Sequence, residues 1–281
     1  PSPTVFMDLF EQAMEDGFDE ILCICMSSGT SGSYQSCELA KTMFLEEHEN
    51  FKIYVVDSKC MSHGSGYLLM KSAMMIENGA KFNEIVNFNE KYKTNVKHFL
   101  SVDDLDHLIR SGRLTNASAF IGKLLKLKPI MSMRKGKGAI VAKERGRKKV
   151  LNHYVNEFKK RVNLKQSNFI IIGYTSDTIY AENLKAKLLD ETGYDGDVYM
   201  MQMGVSVGVH VGLGAVSLYF IEQGKIHDGL FTNEMQNMIE KSSEMKNGLN
   251  EKASGMKSGL NERATELNKR RIEALDKFKG K

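Results

Sequence analysis

The chain has 281 residues, of which 42% are hydrophobic, so it can bury the cores of one large or two medium domains. Its formal net charge of +4 comes from residues 241–281, where eleven Lys and Arg face six Asp and Glu, and the rest of the chain is close to neutral. With no basic groove and no known nucleic-acid motif in the first 240 residues, the composition gives no reason to expect DNA or RNA binding.

The cysteines and the apolar runs indicate a protein of a reducing compartment. The four cysteines lie in or beside predicted core elements, and no pair has zinc-finger spacing. Cys23 and Cys25 fall on one face of a predicted strand, which favours buried thiols over a metal site. The longest apolar runs are far shorter than the roughly 20 residues that span a bilayer, and the chain starts without a charged-then-apolar signal segment. We therefore expect a cytoplasmic protein without a metal or other cofactor.

The first part of the chain alternates helices and strands in β-α-β order. Ser2 and Pro3 predict the start of a helix, because a capping hydroxyl precedes proline at the first helical position, and Gly17 ends it. The apolar run Glu20–Met26 is typical of a buried parallel strand. The elements predicted next are a helix at Gln35–Glu47, a strand at Phe51–Val56, a helix from Ser62 through Met75, a helix near Phe82–Tyr92, a strand at Val96–Val102 and a short helix from Asp103 to Gly112.

The pattern changes near Arg113, where we place a domain boundary. The elements predicted after it are a helix at Ala117–Leu125, strands at Leu127–Met133 and Ala139–Lys143 joined by a glycine turn, a helix at Arg147–Val162, a strand at Phe169–Tyr174, a helix at Ala181–Thr192, a strand at Asp197–Met203, a glycine-rich loop from Gly204 through His210 and a strand at Ala215–Ile221. The sequence thus predicts an α/β protein with two α/β domains, residues 1–112 and 113–228.

Residues 229–281 differ from the rest of the chain because they contain a sequence repeat of eleven residues. Their apolar positions follow a period near 3.67, which keeps them on one side of a straight helix. We therefore predict one long helix from Phe231 to Lys281. Either partner helices or an anionic membrane would suit its thin apolar strip, and small residues such as Gly255 and Gly259 favour helix association.

The stretch Ser27–Ser33, S-S-G-T-S-G-S, is the strongest candidate for a ligand site. It joins a predicted strand to a predicted helix, so hydroxyls and free helix N–H groups converge where an anion could bind. The anion could be a phosphate, a carboxylate or a sulfate, and ordinary turn and cap chemistry explains the same residues. A nucleophile elbow, a Walker A loop and a dinucleotide fingerprint each lack a required glycine or lysine.

Several blocks together resemble the DegV family, bacterial proteins of two α/β domains that hold a long-chain fatty acid between them. The matching blocks are the opening P-S, S-S-G-T-S-G-S-Y-Q-S, V-V-D-S with S-H-G-S-G, L-I-R-S-G-R-L, L-K-L-K-P-I and G-V-H-V-G-L-G. They span roughly Pro1 to Glu222 in family order. The resemblance is therefore much more specific than any single motif.

The resemblance implies a carboxylate site. In the family the fatty-acid carboxylate is held by signature-loop hydroxyls, by a threonine near the start and by a late histidine. Those roles fall on Ser27, Ser28, Ser31 and His210, whereas the threonine and the family's opening strands are absent from this sequence. We therefore expect an uncovered edge on the N-terminal sheet and one carboxylate partner fewer. The loop glycines that allow close backbone approach are Gly29, Gly32, Gly212 and Gly214.

The resemblance also suggests an acyl-chain pocket and a docking face. Flexible methionine side chains suit an acyl pocket, although they equally suit a plain core. The candidates for the pocket are Met26, Met70, Met74, Met131 and Met201. Arg110, Arg113 and Arg145 are candidates for docking a partner protein, and a solvated surface is the alternative.

The function that the resemblance implies is binding of a long-chain fatty acid without catalysis. Some relatives, the B-type subunits of fatty acid kinases, present the carboxylate to a separate ATP-binding subunit. A rival hypothesis is a serine-dependent acyl hydrolase or transferase using Ser28 or Ser31 with His210, in which Asp57 would orient the histidine.

Overall fold

A computed structural model describes residues 1–114 and 127–224. The first elements are α1 (Pro3–Glu15), β1 (Glu20–Cys25), α2 (Ser33–Glu47), β2 (Lys52–Asp57), α3 (His63–Glu77), α4 (Phe82–Tyr92), β3 (Val96–Ser101) and α5 (Asp106–Ser111). The later ones are β4 (Lys128–Arg134), β5 (Lys137–Glu144), α6 (Arg147–Arg161), β6 (Phe169–Tyr174), α7 (Thr178–Thr192), β7 (Asp197–Gln202), α8 (Val205–Val211) and β8 (Val216–Ile221). The mixed α/β prediction is confirmed. The predicted helix at Ala117–Leu125 and the predicted tail helix lie outside the described residues.

One element, α8, was predicted as a glycine-rich loop and is a helix. The prediction was wrong because Gly208 and four valines lower the intrinsic helix propensity of this stretch, and tertiary packing overrides that preference. The helix starts after Gly204 and ends at Gly212, whose φ of +71° favours glycine. It therefore carries His210 on a defined helical turn instead of on a loop.

The smaller sheet has two parallel strands, as the β-α-β order predicted. Strand β1 pairs with β2 from Glu20 opposite Lys52 to Cys25 opposite Asp57. Helix α2 makes the crossover and packs on this sheet through Cys37 and Phe44, which are fully buried. Within residues 1–114 and 127–224, β1 has no other strand partner.

The larger sheet has six strands in the order β5-β4-β3-β8-β6-β7. Only β6 and β7 run parallel, and every other neighbouring pair in it is antiparallel. Its central strand β3 comes from the N-terminal side of the predicted boundary at Arg113, yet it hydrogen-bonds to β4 and β8. The division at residue 112 stays a prediction. The chain passes from the small sheet to the large sheet before that residue, because β3 already belongs to the large sheet.

Both faces of the six-stranded sheet are covered. In β6, Ile170 and Ile172 face the core under α6 and α7, whereas Phe169 and Ile171 face the core under α3. Fully burying one such side chain contributes about 1.5–3 kcal/mol, so these two cores hold the sheet in place. Of the helices in the described residues, none has the length and apolar character needed to cross a bilayer.

Candidate functional site

A cavity of about 420 Å³ lies between the loop after β1 and strands β3, β4 and β8 of the large sheet. Its surface is mostly apolar. The apolar residues that line it include Met26, Met61, Leu100, Leu108, Met131, Met133, Met203, Val207 and Val211. The polar residues that line it include Thr30, Ser31, Ser62, Ser65, His98, Arg113, Ser206, His210 and Tyr219. The described residues thus combine an apolar chamber with a small number of hydrogen-bonding groups.

The loop between β1 and α2 is held against the turn between β4 and β5. The Ser27 hydroxyl donates to the carbonyl oxygen of Gly136 at 2.5 Å, and the Ser27 N–H donates to the Cys60 carbonyl at 2.8 Å. A Cβ atom on Gly29 would lie 2.7 Å from the Gly136 oxygen, so this contact requires glycine. Ser27 is fully buried and does not line the cavity.

Ser28 is engaged by the carboxylate of Asp57 at the end of β2. Its N–H donates to Asp57 Oδ1 at 3.1 Å, and its hydroxyl donates to Oδ2. The ammonium of Lys59 pairs with the same carboxylate. Burial alone would raise the pKa of Asp57, but the hydrogen bonds from Lys59 and Ser28 together hold it below its usual value. Ser28 therefore stabilises the loop and does not line the cavity.

Of the three predicted serines, Ser31 is the one that lines the cavity. Its hydroxyl lies 2.8 Å from the Ser33 hydroxyl and accepts a hydrogen bond from the Ser33 N–H at 3.2 Å. Gly32 occupies the N-cap position of α2, where an added Cβ would meet no atom within 4 Å. Ser31 thus sits beside the N-terminus of a helix, where the backbone dipoles favour negative charge.

His210 lines the cavity from α8, and two glycines shape the turn after it. A Cβ on Gly212 would lie 3.1 Å from the ring of His107 in α5. Gly214 has a φ of +71°, and a Cβ there would lie 2.5 Å from the carboxylate of Asp103. Gly212 and Gly214, two of the four glycines predicted for close approach, are therefore approached by side chains of the chain itself, which fixes the end of α8.

A polar wall opposite these groups was not predicted. His98 of β3 and Tyr219 of β8 line the cavity with ring centroids 5.1 Å apart, and Ser62 lies beside them. Burial lowers the pKa of His98 to about 3, so the imidazole stays neutral at neutral pH. Its Nε2 atom has no hydrogen-bond partner among the described residues. The S-H-G-S-G block contains Ser62, but nothing in the sequence brings His98 to it.

Gly64 of α3 allows the His98 ring to lie against the helix, because a Cβ at this position would overlap that ring. We expect Gly64→Ala to lower the free energy of unfolding by about 1–3 kcal/mol through overpacking. Gly66→Ala is the matched control, since a Cβ there meets nothing within 4 Å and alanine raises helix propensity by up to about 1 kcal/mol. Denaturant unfolding of both variants measures the difference. Equal effects of the two substitutions would show that the His98 contact does not constrain α3.

The predicted methionines divide into two groups. Met26 and Met131 line the cavity. Met70 and Met74 instead pack against the core between α3 and the large sheet, and Met201 of β7 is 37% exposed. Residues 70 and 74 lie on the same face of α3, and that face packs against the core. In β7 successive side chains point to opposite faces of the sheet, so Met201 and Met200 lie on different faces. The methionines that line the cavity in their place are Met61, Met133 and Met203.

The three predicted docking arginines lie on exposed positions. Arg110 lies in the last turn of α5 and Arg145 lies before α6, and neither lines the cavity. Arg113 is also exposed but contributes to the cavity lining, so it can contact a ligand as well as a partner.

The rival hydrolase hypothesis requires His210 to link a serine to Asp57, and the described residues do not form that link. Asp57 accepts a hydrogen bond from Ser28 and forms an ion pair with Lys59, and Ser31 is hydrogen-bonded to Ser33. In the part of the chain that the structure describes, neither serine hydrogen-bonds to His210 and the Asp57 carboxylate does not contact the histidine. This arrangement lacks the relay from serine to histidine to carboxylate that nucleophilic catalysis uses.

The fold and the cavity together define a class, a mixed α/β protein in which two sheets share one mostly apolar ligand chamber. The family model for DegV, described as an uncharacterised protein, DegV family, matches residues 1–223. This chain belongs to the DegV family, as the order of its motif blocks predicted.

Relatives of this chain include proteins seen with fatty acids. A DegV domain-containing protein of Clostridium perfringens is 32% identical over 221 residues, which are 78% of this chain and 75% of the relative. A fatty acid binding DegV family protein from Streptococcus agalactiae matches with a TM-score of 0.68 at 30% identity, over 80% of this chain and 77% of that one. The fatty acid kinase B3 protein of Streptococcus pneumoniae, loaded with linoleic acid, matches with a TM-score of 0.68 at 22% identity, over 79% and 76% of the two chains. At 22% identity, the match to the pneumococcal protein shows a shared fold only.

Proposed function

We propose that this protein binds a long-chain fatty acid in the cavity, with the carboxylate at Ser31 and His210. The observation that carries the proposal is that Ser31 and His210 line one chamber whose remaining surface is mostly apolar. Its volume of about 420 Å³ falls within the range of roughly 300–1,000 Å³ that is common for small-molecule sites. A related protein from Streptococcus agalactiae at 30% identity is described as fatty acid binding, which supports the same ligand class here.

The two parts of a fatty acid match two parts of the cavity. Each methylene transferred from water to an apolar wall contributes about 0.8 kcal/mol, and the methionines adapt to chains of different shape. The Ser31 hydroxyl and an imidazole N–H of His210 can donate to the carboxylate, and the N-terminus of α2 lies beside Ser31. Hydrogen bonds to an ionised acceptor are roughly twice as strong as neutral ones. The polar groups therefore orient the ligand, and the apolar walls supply affinity.

We expect the protein purified from a bacterial host to carry a fatty acid. Native mass spectrometry should show added mass that is lost on denaturation, and organic extraction followed by lipid analysis should identify the acyl chain. Met131→Asp is the variant to compare with the wild type, because it introduces a carboxylate into the apolar wall of the cavity at a position that is 4% exposed. It should reduce the acyl content strongly. Protein that is folded and free of acyl ligand would count against the proposal.

The protein, in our proposal, presents its ligand to a separate ATP-binding kinase subunit and performs no catalysis. The fold shared with the pneumococcal B3 protein and the exposed positions of Arg110 and Arg145 support this role. Exposed arginines suit docking to carboxylates on a partner, because guanidinium groups bind them in a bidentate way.

Reversing the charge of Arg110 and Arg145, the two docking arginines that do not line the cavity, should slow acyl-phosphate formation by a kinase subunit without changing fatty-acid affinity. We expect Arg110→Glu with Arg145→Glu to raise the KM for the loaded protein by 10-fold or more, since like charges would face each other, at roughly 1.4 kcal/mol per tenfold change. Lys160→Glu on α6, a cation whose side chain is 66% exposed, is the control and should leave the KM unchanged. Equal KM values for all three proteins would place the docking face elsewhere.

A further inference from the structure

A second cavity, of about 400 Å³, lies between the C-terminal half of α3, helix α4 and the start of β6, and it shares no lining residue with the first. It is lined by Lys71, Met74 and Phe88, and by Lys165, Gln166 and Asn168 around the start of β6. Lys71 is the unusual member, because lysine is seldom buried and this residue is only 9% exposed.

Among the described residues, the ammonium of Lys71 has no acidic partner. Its Nζ atom donates to the side-chain oxygen of Asn168 and lies 5.2 Å from the centroid of the Phe169 ring. Within residues 1–114 and 127–224, no carboxylate lies within ion-pair distance of it. The other cation in the lining is Lys165, which adds like charge. By contrast, the buried Arg161 is paired with both Glu157 and Glu222.

An unpaired buried ammonium favours its neutral form, because burial removes the water that stabilises the charge. Burial lowers the pKa of Lys71 to about 8. About one tenth of such an amine is neutral at pH 7, against well under one thousandth of an ordinary lysine with a pKa near 10.4. The neutral fraction of Lys71 is therefore much larger than that of an ordinary lysine. Part of this gain is offset because less basic amines are less nucleophilic.

We propose that Lys71 is an acylation site, modified by acyl phosphates that enter the second cavity. The neutral amine attacks the carbonyl carbon, so a C–N bond forms and the C–O bond to phosphate breaks. Phosphate leaves with the bonding electron pair and takes up the proton that the amine nitrogen loses. The product is an uncharged amide, which relieves the cost of the buried charge, and the acyl group is left beside Met74 and Phe88.

The test uses acetyl phosphate as the probe on the full chain. At pH 7 and low extents of reaction, peptide mass spectrometry should find acetylation of Lys71 at least 10-fold faster than that of Lys165, an exposed lysine of the same cavity. The rate at Lys71 should level off above about pH 8. Lys71→Arg should remove the fast phase.

A second variant keeps the inference open to refutation even if Lys71→Arg folds poorly. Asn168→Asp replaces the amide oxygen beside Nζ by a carboxylate at an exposed position, which raises the pKa of Lys71 by pairing. It should slow acetylation of Lys71 by 10-fold or more and leave Lys165 within a factor of about two. Equal rates at Lys71 and Lys165 in the wild type, or an unchanged rate at Lys71 in Asn168→Asp, would overturn the proposal.

Discussion

Replacing Ser31 and His210 together by alanine is expected to weaken fatty-acid binding by roughly 100-fold or more. Both side chains line the cavity, and a hydrogen bond to a charged group contributes about 1.5–3 kcal/mol. Without these donors the carboxylate stays among apolar groups with fewer partners, which opposes binding. Displacement of a fluorescent fatty acid by stearate, measured on delipidated protein, gives the affinities. Each single variant should lose part of the effect.

Ser28→Ala is the control that separates ligand binding from loop stability. Its hydroxyl donates to Asp57 and does not line the cavity, so stearate affinity should change by no more than a few-fold. If Ser28→Ala weakens binding as much as Ser31→Ala, the serine closest to the carboxylate has been misassigned. Unchanged affinity in the double variant would place the carboxylate at another part of the cavity.

Replacing Asp57 by alanine is expected to lower the free energy of unfolding by about 2–4 kcal/mol. Its carboxylate, 7% exposed as a residue, accepts hydrogen bonds from the Ser28 N–H and hydroxyl and pairs with Lys59. Alanine would leave these donors without an acceptor at the base of the Ser/Gly loop. Asp57→Asn should cost less, because an amide oxygen still accepts from Ser28. Urea unfolding at pH 7 measures both variants.

The same carboxylate predicts a pH dependence. Because hydrogen bonds hold the pKa of Asp57 below its unfolded value, its stabilisation is present above about pH 4 and is lost as the pH falls through the folded-state pKa. The wild type should therefore lose stability on acidification more steeply than Asp57→Ala. Parallel pH profiles for the two proteins would show that Asp57 is not stabilised in its ionised form.

Much of the fold could be predicted because local patterns and tertiary packing agree. The run Glu20–Met26 predicted β1 because an apolar strand between Gly17 and a Ser/Gly loop leaves few alternatives, and the structure ends the strand at Cys25. Helix α8 was missed because its Gly and Val content opposes helix formation locally. The membership of β3 in the large sheet was also beyond prediction, since strand pairing depends on long-range contacts that no local pattern contains.

The candidate site could be predicted in part. The resemblance to the DegV family pointed to Ser31 and His210, which the structure brings to one cavity. It could not separate Ser31 from Ser27 and Ser28, because the three hydroxyls differ only in what they meet in three dimensions. The polar wall of His98 and Tyr219 depends on the register of β3 with β8, in which these two residues are direct partners.

The hydrogen bond from Ser27 to Gly136 joins residues 109 positions apart in the chain. Closing so long a segment costs entropy that local contacts cannot offset, so this bond forms only after the β4–β5 turn has docked. A nascent chain that has folded its β-α-β unit therefore still has a Ser/Gly loop without its anchor. The cavity proposed for the fatty acid is lined by residues of β3, β4 and β8, so it is complete only once the large sheet has assembled.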